Sequence, residues 1–205
     1  YALGVAVSSS LSVGNASNGL FAEGRAVLAG NRLYANGGNG LQRGGWNTGT
    51  LILRNTSHGN ALDGFNLSGA ALLLESNTAY GNGGDGVDSS ARGLLAGNVS
   101  SSNTGNGFRL SGPHEAASNQ AYGNLDRGFR LLNGSHTLVD NHSYANPNGG
   151  LLVQSASPTW SGGALGRDAA LAPAPNGGAD LDLAGGTVER VTFRDAWFGA
   201  VAPAG

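Results

Sequence analysis

Apolar residues in this chain follow neither the 3.6-residue period of a helix nor the long alternation of an extended hairpin. They fall in short stretches such as "TLIL" at 50–53, "ALLLE" at 71–75 and "GFRL" at 107–110, set off by Gly and Asn. That pattern predicts strands of three to five residues joined by tight turns. The stretches recur in register. Anchored on Ser10, Asn31, Asn55, Asn77, Asn98, Asn119 and Asn141, the position five residues on is Asn15, Asn36, Asn60, Asn82, Asn103, Asn124 and Asn146. The position nine residues on is always Gly, from Gly19 to Gly150, and the residue after it is always apolar, from Leu20 to Leu151.

Anchors are separated by 21, 24, 22, 21, 21 and 22 residues, a solenoid period in which no coil can bury its apolar face without a neighbour. A leucine-rich repeat would need several Leu at fixed offsets and a helical back, and neither is present. The expected fold is therefore all-β, a single-stranded parallel β-helix of about seven coils of 21–24 residues with an irregular C-terminal cap. Asn tolerates tight turns and its amide both donates and accepts, so an Asn column can hydrogen-bond up the stack. Gly at +9 supplies either a positive φ or a close approach. A second apolar column three residues before each anchor, Val7, Leu28, Ile52, Leu74, Leu95, Ala116 and Leu138, belongs inside. At ~4.8 Å per rung the rod is about 30 Å long.

Two segments follow from this pattern: a β-helix over 1–156 and a cap over 157–205. After Gln154 the repeat stops, and residues 155–178, which carry Pro158, Pro173 and Pro175, read as irregular chain. Residues 179–198 alternate apolar and polar positions, which predicts a hairpin about Gly185 and Gly186 covering the open sheet edge. The longest coil holds its extra residues in "RGGWNTGT", a loop that carries Trp46. The chain begins inside a rung at Tyr1, which reads as a piece of a longer protein.

Composition narrows the function classes. Thirty-seven Gly without a collagen period fit a turn-dense β protein, and 40% apolar residues argue against disorder. A net charge of −2 provides no basic footprint for nucleic acid. No apolar run approaches the length of a membrane span. Cys is absent, and every one of the eleven basic residues is Arg, so mechanisms that need a thiol or a Lys are excluded.

In a strand reading Gly-Phe-Arg-Leu the Phe and Leu face inward, so the residue between them faces solvent. That +11 column contains Gln42, Asn66, Asp88, Arg109 and Arg130, and the +8 column contains Asp63, Asp85 and Arg127. Three acids on adjacent rungs, roughly 5 Å apart along the stack, could share one Ca²⁺ through oxygen ligands. The plainer alternative is a row of opposite charges that pair across rungs and contribute little.

The run "NGGDGVD" at 82–88, set in the Asn and Gly repeat, resembles the calcium-binding stretch of the family 9 pectate lyases, which are right-handed parallel β-helices. The resemblance spans residues 5–155. It implies an exported, extracellular or cell-surface polysaccharide lyase that acts on an acidic polysaccharide by calcium-assisted β-elimination. Carried over, Asp85 and Asp88 match two metal ligands and Asp63 the ligand from the earlier coil, while Gly84 stands where the remaining Asp belongs. The family's catalytic Lys has no counterpart, so Arg109 or Arg130 takes the role of base, as an arginine does in other β-helical pectate lyases. Arg127, Asn66, Gln42 and Trp46 are then the substrate contacts.

Two other readings compete: a non-catalytic structural or adhesion β-helix within a larger surface protein, and a glycoside hydrolase using an Asp pair without metal. Tyr34, His58, Tyr80, Tyr122 and Tyr144 share a +3 column that could stack sugars, although packing on one another is the simpler account. His114 and His136 match on adjacent coils, but with no third His or Cys column they read as structural.

Overall fold

The computed structural model describes residues 4–45, 49–183, 191–197, 199 and 201–202. All described strands are short, and they stack into three parallel sheets. The first sheet has nine strands running in order from Val5–Ser8 to Thr192–Arg194, the second eight from Leu11–Val13 to Ala164–Leu165, and the third nine from Leu20–Glu23 to Val201–Ala202. Each of the first eight coils donates one strand to each sheet, Thr192–Arg194 and Val201–Ala202 add a ninth strand to the first and third, and each strand pairs with its equivalent one coil on, as Val87 does with Phe108. No helix is present among the described residues, so none is long and apolar enough to cross a membrane.

The core is made of repeated columns. Leu28, Ile52, Leu74, Leu95 and Leu138 line it from the first sheet, and Leu41, Phe65, Val87, Phe108, Phe129 and Leu151 from the third, nearly all fully buried. Phe108 and Phe129 stack at 4.9 Å. Burying each such side chain is worth about 1.5–3 kcal/mol, and only stacked coils can realise that gain.

Two Asn ladders run beside the core. In the anchor ladder the backbone N–H and the side-chain amide of Asn55 both donate to Asn77 Oδ1, at 2.8 and 3.0 Å, and Asn77 repeats the pattern onto Asn98. The +5 ladder does the same from Asn15 to Asn146 and then passes to Asn176. Buried turn amides are thus satisfied without water. The +9 glycines act through close approach. None of Gly40, Gly64, Gly86 or Gly107 has a positive φ, but a Cβ on Gly64 would stand 2.6 Å from the Gly86 carbonyl and 2.9 Å from Asn82 Nδ2.

The C-terminal segment departs from expectation. The repeat does not stop at Gln154: Trp160 is fully buried and pairs in register with Leu138, and Leu181 and Asp182 pair with Leu151 and Leu152. An eighth coil is present, concealed because a loop over 167–175 stretches the Asn146 to Asn176 interval to 30 residues. The hairpin expected about Gly185 and Gly186 lies outside the described residues, and so does Trp46.

Candidate functional site

The outer face of the third sheet brings the expected +11 residues into one register: Gln42 beside Asn66, Asn66 beside Asp88, Asp88 beside Arg109, and Arg109 beside Arg130. The column continues through Leu152 to Asp182, a residue the sequence reading missed. Its signal was present: "NGGADLD" at 176–182 is close to "NGGDGVD" at 82–88.

The charges on this face are largely spoken for. Arg109 Nη1 donates to both oxygens of Asp88 at 2.9 Å, and Arg127 Nη2 reaches Asp182 Oδ2 at 2.7 Å. Arg130 differs. Its Nη2 donates to a neutral partner, Gln154 Oε1, at 3.0 Å, and its buried Nε has no hydrogen-bond partner. Arg127 Nη1 is likewise buried without a partner.

The +8 column, from which the sequence reading drew two calcium ligands, Asp63 and Asp85, is a third ladder. Asn39 N–H donates to Asn18 Oδ1, Asp63 N–H to Asn39 Oδ1, Asp85 N–H to Asp63 Oδ1, and Asn106 N–H to Asp85 Oδ1, at 2.8, 2.9, 2.8 and 2.5 Å. Asp63 and Asp85 therefore do what Asn does on other rungs, each giving one oxygen to a backbone amide. Asp63 Oδ2 also accepts from Asn66 Nδ2 at 2.8 Å. Asp85 Oδ2 is the single oxygen of the three acids without a hydrogen bond among the described residues.

This set does not fit a calcium ion. A hard cation of that kind takes six to eight oxygen ligands, whereas five of the six carboxylate oxygens here are held by amides or by Arg109. Among the described residues no three acidic, His or Cys side chains are grouped to hold a metal ion. Electrostatics follow from the crowding. Burial pushes the Asp85 carboxyl above its ordinary value; its hydrogen bonds from Asn106 oppose the shift, and Asp63 and Asp88 add to it. Asp88 is raised by burial too, against the pull of Arg109.

The family model described as "Right handed beta helix region" matches residues 6–161. The chain belongs to the right-handed β-helix family. This β-helix is also similar to a crystal structure of the periplasmic alginate epimerase AlgG, with a TM-score of 0.73 and 16% identity over 98% of this chain and 51% of that one. The Azotobacter vinelandii mannuronan C-5 epimerase AlgE4 A-module gives a TM-score of 0.69 at 16% identity, covering 89% of this chain and 55% of that one. The β-helix thus spans about half the length of each structure, and at such identity the likeness is one of fold. No curated protein matches the sequence.

Proposed function

We propose that this β-helix is an exported carbohydrate-active protein that holds an acidic polysaccharide on the outer face of its third sheet, with Arg130 receiving a uronate carboxylate. One observation carries the reading: Arg109 and Arg127 already face carboxylates, while Arg130 faces only the neutral Gln154 amide. A guanidinium with unsatisfied donors is matched by the planar, two-oxygen geometry of a carboxylate. Asn66 and Gln42, further along the same column, supply amides for hydroxyl groups. The similar folds described as alginate and mannuronan epimerases support the ligand class, and the one described as periplasmic supports export.

A second reading adds chemistry at C5 of the uronate. Asp85 favours it: one oxygen is locked by Asn106, the other is free, and burial raises the carboxyl toward the range in which proton transfer near neutral pH is efficient. Arg109 is less available for that role than the sequence suggested, because its Nη1 is held by both oxygens of Asp88. Removal of the C5 proton is the step shared by β-elimination and C-5 epimerisation. After it, elimination expels the O4 substituent, and epimerisation returns a proton to the opposite face.

Calorimetric titration with tetragalacturonate and tetramannuronate, on wild type and Arg130→Gln, tests the binding reading, with and without added Ca²⁺. A loss of roughly tenfold or more in Arg130→Gln is expected, the size of one charge-assisted contact. Unchanged affinity in that variant, or no binding by wild type, would overturn the charged-face reading. Deuterium uptake at C5 in D₂O, abolished in Asp85→Asn, tests the chemistry.

A further inference from the structure

The outer face of the second sheet carries a column of rings with one ring missing. Tyr34, His58 and Tyr80 stack face to face at 4.9 and 4.7 Å, with planes 5° apart. Tyr122 and Tyr144 stack in the same column at 5.0 Å. Between the two stacks the register places Ser101, paired with Tyr80 on one side and Tyr122 on the other. The two tyrosines flanking Ser101 are therefore two rungs apart, about 10 Å at the ordinary strand spacing. One further six-membered ring placed between them would lie at the same 4.7–5.0 Å from each face that the column already uses.

We infer that this gap is a sugar-binding slot that takes one pyranose ring between the faces of Tyr80 and Tyr122. The structure furnishes the rest of such a site. Tyr80 is 38% exposed. The Ser101 hydroxyl forms the floor and makes no hydrogen bond among the described residues. The adjacent column carries Thr78, Val99 and Gln120, with polar side chains on the two coils that bear the walls. A few polar groups around an apolar contact are what orients a small ligand.

The sandwich also selects the sugar. A ring held between two aromatic faces must present C–H bonds on both sides, which requires all its large substituents to be equatorial. A β-glucosyl or β-glucuronosyl ring meets this condition; a galacturonosyl ring, with an axial hydroxyl, blocks one face. The inference rests on the carbohydrate reading above for its ligand class, but on none of the residues of the charged face.

Saturation-transfer NMR and calorimetry with cellotetraose provide the test. Expected are transfer between the tyrosine rings and the sugar, and a loss of roughly tenfold or more in affinity in Ser101→Tyr, which fills the gap and restores the stack. Unchanged far-ultraviolet dichroism and melting would show that this variant is folded. Tyr122→Leu removes one wall without crowding the other, and the same loss is expected. No transfer in the wild type, undiminished binding by both variants, or tighter binding of tetragalacturonate at the tyrosines would overturn the slot. Arg130→Gln separates the two sites: cellotetraose binding should be unchanged in it. If that variant fails to weaken acidic oligosaccharides while Ser101→Tyr still abolishes cellotetraose binding, the charged-face reading falls and the slot stands.

Discussion

Asn82 sits in the middle of the +5 ladder, and its removal separates ladder energetics from simple truncation. Its Oδ1 accepts from the Asn60 backbone N–H at 3.1 Å and from Asn60 Nδ2 at 3.0 Å; its Nδ2 donates to Asn103 Oδ1 at 2.9 Å and to the Ser57 carbonyl at 3.2 Å. In Asn82→Ala the Asn60 side chain keeps its bonds to Leu33 and Ser57, and Asn103 Oδ1 keeps the Asn82 N–H. The Asn60 backbone N–H has no other acceptor within the dry turn. At about 1–3 kcal/mol for each buried polar group left unsatisfied, the orphaned N–H and the weakened Ser57 carbonyl predict a loss of roughly 2–5 kcal/mol. Asn15→Ala is the matched control. No group donates to Asn15 Oδ1, since its ladder bonds run outward to Asn36, and the residue is exposed. Its truncation should cost less than about 1 kcal/mol. Urea unfolding followed by far-ultraviolet dichroism measures both. If the two variants differ by less than about 0.5 kcal/mol, within the scatter expected for surface substitutions, the ladder is not what satisfies the turns.

Gly86→Ala should cost about 3 kcal/mol or more, because the new Cβ would collide with the Ser100 hydroxyl and stand 2.7 Å from Asn103 Nδ2 and 2.9 Å from the Gly107 carbonyl; thermal unfolding reports it. Asp85→Asn keeps the ladder acceptor but removes a buried charge. Because the folded-state carboxyl is raised, its contribution is fully present below the ordinary value near 3.8 and is lost as pH rises through the raised one, so the variant should be more stable than wild type at neutral pH and lose that advantage in acid. His136, 2% exposed, is pushed down from 6.5 to about 4 by burial and by His114 stacked at 5.6 Å. Its stability contribution is complete above pH 6.5 and falls away toward about pH 4, at most roughly 3 kcal/mol, and His136→Phe should flatten the unfolding midpoint across that window.

The fold was legible because a solenoid writes the same demand on every coil. Asn is required wherever a turn amide must be satisfied by the next rung, and Gly wherever a neighbouring carbonyl passes within van der Waals contact of the missing Cβ, as at Gly64. Such columns survive any substitution that keeps the stack. The eighth coil escaped notice because its markers are altered one by one: Gly163 replaces the anchor Asn, Asp180 replaces the +9 Gly, and the 167–175 excursion breaks the spacing. What kept the coil in place was physical equivalence. Trp160 fills the same core column as Leu138, and Asn176 accepts from Asn146 as Asn146 does from Asn124.

The candidate site was less legible, for a reason located in the acids themselves. On a strand face, Asp at +11 and Asp at +8 look alike in sequence, but one stands on a ladder strand and the other on a turn that must satisfy a backbone amide. Asp88 is free to pair with Arg109, while Asp63 and Asp85 spend an oxygen as Asn39 does. Three aligned carboxylates thus become a ladder segment and an ion pair. The unpaired functionality lies elsewhere, at Arg130, where the coil after it offers Leu152 in place of an acid and the nearest partner is the neutral Gln154. A stack one coil shorter would have set Asp182 beside it. The position of that missing acid, fixed by the stack, is what leaves a positive charge available on this face.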